Sequence, residues 1–139
     1  MPILFDSSVY IGAFRGDDHA GLILERWRGK APVWMSSVVL EELYVGADAA
    51  SAKLVEKLER DFQRAQRVLV PSLSDWTQTG RILAKMGAKH GFERIKLGRL
   101  TNDVLIAVSA ARCGIAVVTA NGRDFEKLAE FCSLDWQLN

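Results

Sequence analysis

Short, unbroken apolar runs alternate along the chain with stretches in which apolar residues return at helical spacing. The runs fall at residues 3–5, 33–35, 68–70 and 115–119, with a fifth candidate at 133–138. Continuous apolar character over a few residues is the pattern of strands buried on both faces of a parallel sheet. Helical periods occupy a short stretch after Asp6 and then 18–28, 37–46, 51–66, 75–90, 102–113 and 122–130. The gaps between runs are long enough for crossover helices. In the 51–66 stretch Leu54, Val55, Leu58, Phe62 and Ala65 predict a core face, and Lys53, Lys57, Arg60, Arg64 and Arg67 lie opposite. Strands alternating with helices predict an α/β fold, one sheet with helices on both sides, whose ligands bind outside the carboxyl ends of the strands.

Composition narrows this picture without redirecting it. With 139 residues, 49% of them hydrophobic and 25% charged, the sequence predicts one domain spanning 1–139. The net charge of +1 favours no class of partner, so only the distribution of charge carries information. Two cysteines, Cys113 and Cys132, cannot staple a secreted mini-domain and have no second pair or His neighbours for zinc. A reducing, cytoplasmic location is the expectation. No run reaches the roughly 18 apolar residues of a membrane span, and the opening residues lack the features of a signal peptide.

Four acids are placed where such a fold does chemistry. Asp6 follows the first run and Asp124 follows the fourth. Asp103 follows Thr101 and Asn102, either of which could cap a helix with Asp103 in its first turn. Glu42 lies on the helix after the second run; there Leu40, Leu43, Tyr44 and Ala47 predict the core stripe, and Gly46 leaves space beside Glu42. Singly, each acid is explained by helix capping or by the helix dipole. Jointly they gather at one sheet edge, where several carboxylates stay ionised together only around a cation. His19 and His90 have no partner at ligand spacing, so the site would be all oxygen, which suits Mg²⁺ with Mn²⁺ as substitute. Such ions activate water and stabilise charge on a phosphodiester, so the expected reaction is phosphodiester hydrolysis.

The segments Leu4-Phe5-Asp6-Ser7-Ser8-Val9, Glu41-Glu42-Leu43-Tyr44-Val45-Gly46-Ala47, Asn102-Asp103-Val104-Leu105-Ile106-Ala107 and Val118-Thr119-Ala120-Asn121-Gly122-Arg123-Asp124-Phe125 together resemble the PIN domain, specifically the VapC-type toxins of prokaryotic toxin–antitoxin pairs. The resemblance runs over nearly the whole chain, in the family's order and spacing. It implies a three-layer α/β/α sandwich with a central, mostly parallel sheet of about five strands. It further implies a Mg²⁺- or Mn²⁺-dependent endoribonuclease in which Asp6, Glu42 and Asp103 match three family acids. The fourth position is Asn121 or Asp124, with Asp124 favoured as the acid and Asn121 as an auxiliary group. Ser8 and Thr119 match polar positions that support the site. A homodimer, self-associating through Tyr44 and the apolar edges of helices within 37–66, and a cognate antitoxin that inserts a peptide into its groove are implied in the same way. Glu41 and Glu42 lie about 100° apart on a helical wheel, so only one can face the site, and both the motif and the helix argument select Glu42.

Arg81, Lys85, Lys89, Arg94, Lys96 and Arg99 stand close together before Asp103 with one acid, Glu93, among them. A solvated helix face would explain them. So would a track that steers the RNA backbone to a site whose own carboxylates repel it. The four Trp are assigned to core or interface rather than to base stacking. Two phosphoryl-handling alternatives fail on spacing: a dehalogenase-like phosphatase needs an acid at position 8, which is Ser, and a receiver domain needs paired acids at the first strand's end. A catalytically inactive RNA-binding or scaffold protein is the remaining alternative.

Overall fold

The computed structural model describes residues 1–91, 97–120, 122–131 and 136–138, and the side chains of 97–99, 137 and 138 are outside the description. In chain order the elements are β1 (Ile3–Phe5), α1 (Ser7–Phe14), α2 (Asp18–Trp27), β2 (Val33–Ser36), α3 (Ser37–Gly46), α4 (Ala49–Arg64), β3 (Val68–Leu69), α5 (Leu73–His90), α6 (Leu97–Arg112), β4 (Ala116–Thr119), α7 (Arg123–Ala129) and β5 (Trp136–Leu138). The five strands form one sheet in the order β3-β2-β1-β4-β5. Every pairing among them is parallel, with Leu4 opposite Trp34 on one side and Val117 on the other. The sheet expected to be mostly parallel is parallel throughout the described strands.

From β1 the chain builds outward to β2 and β3, then crosses back through α5 and α6 to lay β4 on β1's other flank. The order reverses between β1 and β4. In open α/β sheets such a reversal opens a crevice at the strands' carboxyl ends, because the connections leave in opposite directions. Ile3, Leu4, Val117 and Val118 are fully buried there, with helix residues such as Val9, Val39, Val104 and Phe125 closing the core. Gly12 lets α1 and α2 approach: a Cβ on it would meet the Ala20 Cβ at 2.7 Å.

Several expected boundaries move for identifiable reasons. α4 and α5 begin two residues early because Asp48 and Ser72 cap them, each in a reciprocal capping box with the residue three positions on. α6 begins at Leu97 rather than 102, so Asp103 lies in its second turn and the expected first-turn placement is corrected. Leu100 is buried on the same stripe as Val104, and that burial carries the helix upstream of Thr101 and Asn102. The run at 68–70 gives only a two-residue strand, with Val70 turned out to solvent ahead of Pro71. On α4 only Val55 is fully buried, while Leu54 is 49% exposed and Ala65 is exposed, because the helix packs mainly on α3 and the sheet edge at β2. Tyr44, expected in the α3 core stripe, is 39% exposed and donates its hydroxyl to Glu59 Oε1 at 2.6 Å. Val38, Val39, Leu40 and Leu43 form that stripe instead. Among the described residues no helix is long and apolar enough to cross a membrane.

Candidate metal-binding and catalytic site

Asp6 stands at the point of reversal. Its backbone N–H donates to Val118 O at 3.1 Å, extending the β1–β4 ladder one residue past Phe5, and the chain then turns into α1. Asp6 is the N-cap residue of α1, yet its side chain makes no capping bond. The carboxylate is buried and faces hydroxyls instead: Ser8 donates to Oδ1 and Thr119 donates to Oδ2. The Ala120 N–H donates to Ser8 Oγ at 3.2 Å. An amide N–H can only donate, so the Ser8 hydroxyl must accept there and aim its own proton at Asp6. Both Asp6 oxygens are thereby oriented by the two strand ends that form the crevice. Burial raises the Asp6 pKa above the ordinary carboxylate value, opposed by the Ser8 and Thr119 hydrogen bonds.

Glu42 reaches the same region from α3, which Ser36 caps by accepting from Val38 N at 3.1 Å. Its Oε1 is buried and has no hydrogen-bond partner among the described residues. Burial raises its pKa, hydrogen bonds from Ser7 and Asn102 oppose the shift, and the charges of Asp6 and Glu41 add to it. Asp6 and Glu42 are therefore electrostatically coupled. Glu41 is exposed, so of the adjacent pair it is Glu42 that turns inward, as the helical wheel requires.

Asp103 is half-buried in the second turn of α6, next to Asn102, whose Nδ2 donates to Glu41 Oε1 at 3.4 Å. α6 packs against α3, and Asp103 lies on it one residue past the Asn102–Glu41 contact. Asp124 is half-buried in the first turn of α7, the helix that follows β4 in the chain. Asn121 lies outside the described residues. Among those described, no three His, Cys, Asp or Glu side chains stand close enough to enclose a cation. The arrangement is the Asp6 carboxylate held by two hydroxyls, with its charge adding to the raised pKa of Glu42, and not an all-protein cage.

An unpartnered buried carboxylate oxygen beside a second buried carboxylate fits a hard cation, which would meet the one and neutralise the other. Mg²⁺ in particular keeps several waters and is held through one or two carboxylates plus substrate phosphate, so a pair is donor set enough.

Of the basic residues, Arg81 and Lys85 are exposed at helical spacing on α5. Lys89 is engaged, pairing with Glu130 at 3.1 Å and lying 5.5 Å from the centre of the Phe131 ring. Arg94 and Lys96, and the side chain of Arg99, lie outside the described residues. Ser7 and Asn102 are the participants that sequence reasoning missed. Ser7 has only its position directly after Asp6 to mark it, and Asn102 reads as a helix cap for as long as α6 is expected to begin there.

A family model for the PIN domain matches residues 3–131. Among solved structures the chain is similar to VapBC2 from Rickettsia felis bound to a DNA fragment from its promoter, with TM-score 0.69 and 21% identity over 100% of this chain and 99% of that one. It is similar to VapBC-1 from nontypeable Haemophilus influenzae, with TM-score 0.66 and 22% identity over 99% and 98% of the two chains. FitAcB from Neisseria gonorrhoeae gives TM-score 0.69 and 21% identity over 100% and 97%. At these identities the likeness establishes the fold. No curated protein matches the chain.

Proposed function

The chain belongs to the PIN-domain family, and from that premise we propose that it is the toxin of a toxin–antitoxin pair, acting as a Mg²⁺- or Mn²⁺-dependent endoribonuclease. The observation that carries this reading is the buried, unpartnered Glu42 Oε1 coupled to Asp6 at the sheet's point of reversal. Asp6 and Glu42 would hold the ion, and Asp103 from α6 and Asp124, or Asn121, from the segment after β4 would act on it through its bound waters. When bound, the ion supplies an activated water and positive charge where the cleaved phosphodiester becomes more negative. Hydrogen bonds from Ser8 and Thr119 favour the charged form of Asp6 against burial and fix its carboxylate, so that its oxygens need no reorganisation as a ligand enters. Arg81 and Lys85 give α5 an exposed basic edge suited to drawing RNA phosphates past the repelling acids.

The solved structures named above are VapBC and FitAcB assemblies, which supports a cognate antitoxin as partner here. The cleft between α1, α3 and α4, lined by apolar Ile11, Phe14, Leu43 and Ala47 together with Arg15, Asp48 and Ser51, offers a mixed apolar and polar seat for a segment of such a protein. Exposed Val45 and Leu54, with Tyr44 between α3 and α4, suit a homodimer contact. The test is RNA cleavage by the purified chain with Mg²⁺, with excess EDTA, and with Mg²⁺ in the Asp6→Asn and Glu42→Gln variants. Cleavage only in the first condition is expected. Undiminished cleavage with EDTA or by both variants overturns the reading, and RNA binding without cleavage in every condition would favour the inactive scaffold.

A further inference from the structure

A cavity of about 360 Å³ opens at the other edge of the sheet from the crevice. Val33, which begins β2, and Arg67, which precedes β3, both line it. It therefore lies at the amino edge of the parallel strands, whereas Asp6 stands at their carboxyl edge. Its walls are apolar, from Ala31, Val33, Phe62 and Ala65, and its volume admits a small organic ligand. Two residues of opposite charge, Asp61 and Arg67, complete the lining. No ion pair joins them among the described residues, and the Asp61 carboxylate pairs instead with Lys57 of its own helix at 3.9 Å. A sharp turn brings Arg67 there. α4 closes with the Arg67 N–H donating to Phe62 O and the Gln66 N–H to Gln63 O, both at 3.0 Å. Gln66 takes the left-handed conformation that such a closure demands, with φ 56°, where Gly would sit without strain. Gly29, also left-handed at φ 70°, adds no side chain to the lining.

We propose that this cavity is a subsite for a guanine nucleotide, taken either free or as an unpaired residue of RNA. The lining selects the base. A carboxylate has two acceptor oxygens and a guanidinium has a fork of N–H donors. Guanine matches both, since its neighbouring N1–H and N2–H groups donate to a carboxylate while its O6 and N7 accept from an arginine. Adenine offers a carboxylate only its N6 amine. Phe62 supplies an aromatic wall of the kind on which unpaired bases stack. Lys30, between the lining residues Gly29 and Ala31, and Arg64, next to Ala65, are exposed and supply positive charge at the rim for the phosphate. Strands of three or four residues separate the two sheet edges by roughly 10 Å, so a base held here belongs to a nucleotide other than the one attacked in the crevice.

The test is equilibrium binding to the full chain in excess EDTA, where the crevice acids, lacking a cation, repel nucleotides and add no binding of their own. Guanosine, adenosine and cytidine 5′-monophosphates are titrated by calorimetry. Two labelled single-stranded RNAs, an oligoadenylate and the same strand with one central guanosine, are followed by fluorescence anisotropy. The variants are Arg67→Leu and Asp61→Asn, with Lys53→Ala as a charge control on α4, and thermal melting checks that each is folded. Guanosine monophosphate should bind the parent about 10-fold or more tightly than adenosine monophosphate, the scale of one bidentate base contact. Arg67→Leu should abolish that binding, Asp61→Asn should remove the preference, and Lys53→Ala should change neither. A preference for the guanosine-bearing RNA, lost in Arg67→Leu, assigns the subsite to RNA; binding of the monophosphate with no preference between the two RNAs assigns it to the free nucleotide. Equal affinity for the three monophosphates, no binding of guanosine monophosphate at millimolar concentration, or an undiminished preference in the folded variants overturns the subsite. None of these measurements requires cleavage, so their failure leaves the metal-dependent hydrolysis standing, and a failure of hydrolysis leaves the subsite standing.

Discussion

Two aspartates are buried at the starts of two helices, Asp6 entering α1 and Asp75 in the first turn of α5, and their surroundings are opposite in kind. Asp75, 1% exposed, accepts from the Ser72 backbone and forms a forked pair with Arg112 of α6, whose Nε and Nη2 both converge on it at 2.9–3.0 Å. Burial pushes its pKa up, but Arg112 and the Ser72 hydrogen bonds outweigh that and hold it below the ordinary value. Asp6 is also buried and also hydrogen-bonded, yet its side-chain donors are neutral hydroxyls and its charged neighbour is another acid, so its pKa is raised. A buried carboxylate with its cation built in is scaffold. One whose cation must come from outside is a site.

The largest expected effect breaks this comparison at the level of activity. Asp6→Asn should lower RNA hydrolysis by at least about 100-fold, since even indirect supports of a metal ligand are worth up to that much. It should not lower the Tm of the metal-free chain, because the substitution removes a charge that burial disfavours. Asp75→Asn should do the reverse, leaving hydrolysis nearly intact in the folded protein. Equal activity losses in the two variants would show that the contrast has no functional content.

Next comes stability. Asp75→Ala should cost about 2–3 kcal/mol, the scale for removing charge-assisted hydrogen bonds and a helix-terminus contact together. In a chain of this length that lowers Tm by roughly 5–10 °C, read by calorimetry or circular dichroism. A fall of about a degree or less would mean that α5 and α6 are held by their apolar contact alone.

The pH dependence sharpens the contrast further, since the two shifts have opposite signs. For the raised groups Asp6 and Glu42, folded stability is greatest below their unfolded pKa and is lost as pH rises through the folded one. For Asp75 the stability is present above the unfolded pKa and is lost as pH falls through the lowered folded value. Denaturant midpoints of the metal-free chain should therefore rise on mild acidification from neutrality and fall again in stronger acid. Asp6→Asn should flatten the first limb only and Asp75→Asn the second only. Saturating Mg²⁺ should also remove the first limb, because the ion favours the charged carboxylates. A single acid limb, unchanged by Asp6→Asn, would contradict the raised state of the pair.

The contrast between these two aspartates is only half legible in the sequence. The apolar runs mark the strands and their burial, and the placement of Asp6 after the first run marks its sheet edge. Arg112 stands 37 positions from Asp75, and nothing local to either identifies them as partners. Strand order is equally hidden, because a parallel sheet's crossovers look alike from sequence whichever side they return to; the reversal between β1 and β4 is what makes Asp6 and Thr119 neighbours. Tyr44 and Leu54 mislead because periodicity reports which residues could be covered, and α4 lies at the periphery where little covers them. Asn102 misleads because a good capping residue does not end a buried stripe that continues to Leu100.

The smallest effect concerns a third kind of carboxylate, Glu130, whose pair with Lys89 is half in solvent and so neither scaffold nor site. Exposed pairs add little to stability, and Glu130→Gln should leave Tm nearly unchanged. What the pair does is occupy a cation on the helix that carries Arg81 and Lys85. If that edge of α5 guides RNA, neutralising Arg81 and Lys85 together should weaken binding of all RNAs alike, because phosphate contacts carry no sequence information. The salt dependence should shrink by about 1.4 in slope, since each single-strand phosphate that a side chain no longer neutralises accounts for about 0.7. Glu130→Gln should act in the opposite direction and no further than about 0.7, by freeing the one ammonium that Glu130 holds. Affinities would be measured across a salt series in the Asp6→Asn background, with Lys53→Ala/Lys57→Ala as the control on α4. An Arg81→Ala/Lys85→Ala slope equal to that of the control would make α5 a scaffold helix along its whole length, from the buried pair at its start to the exposed pair at its end.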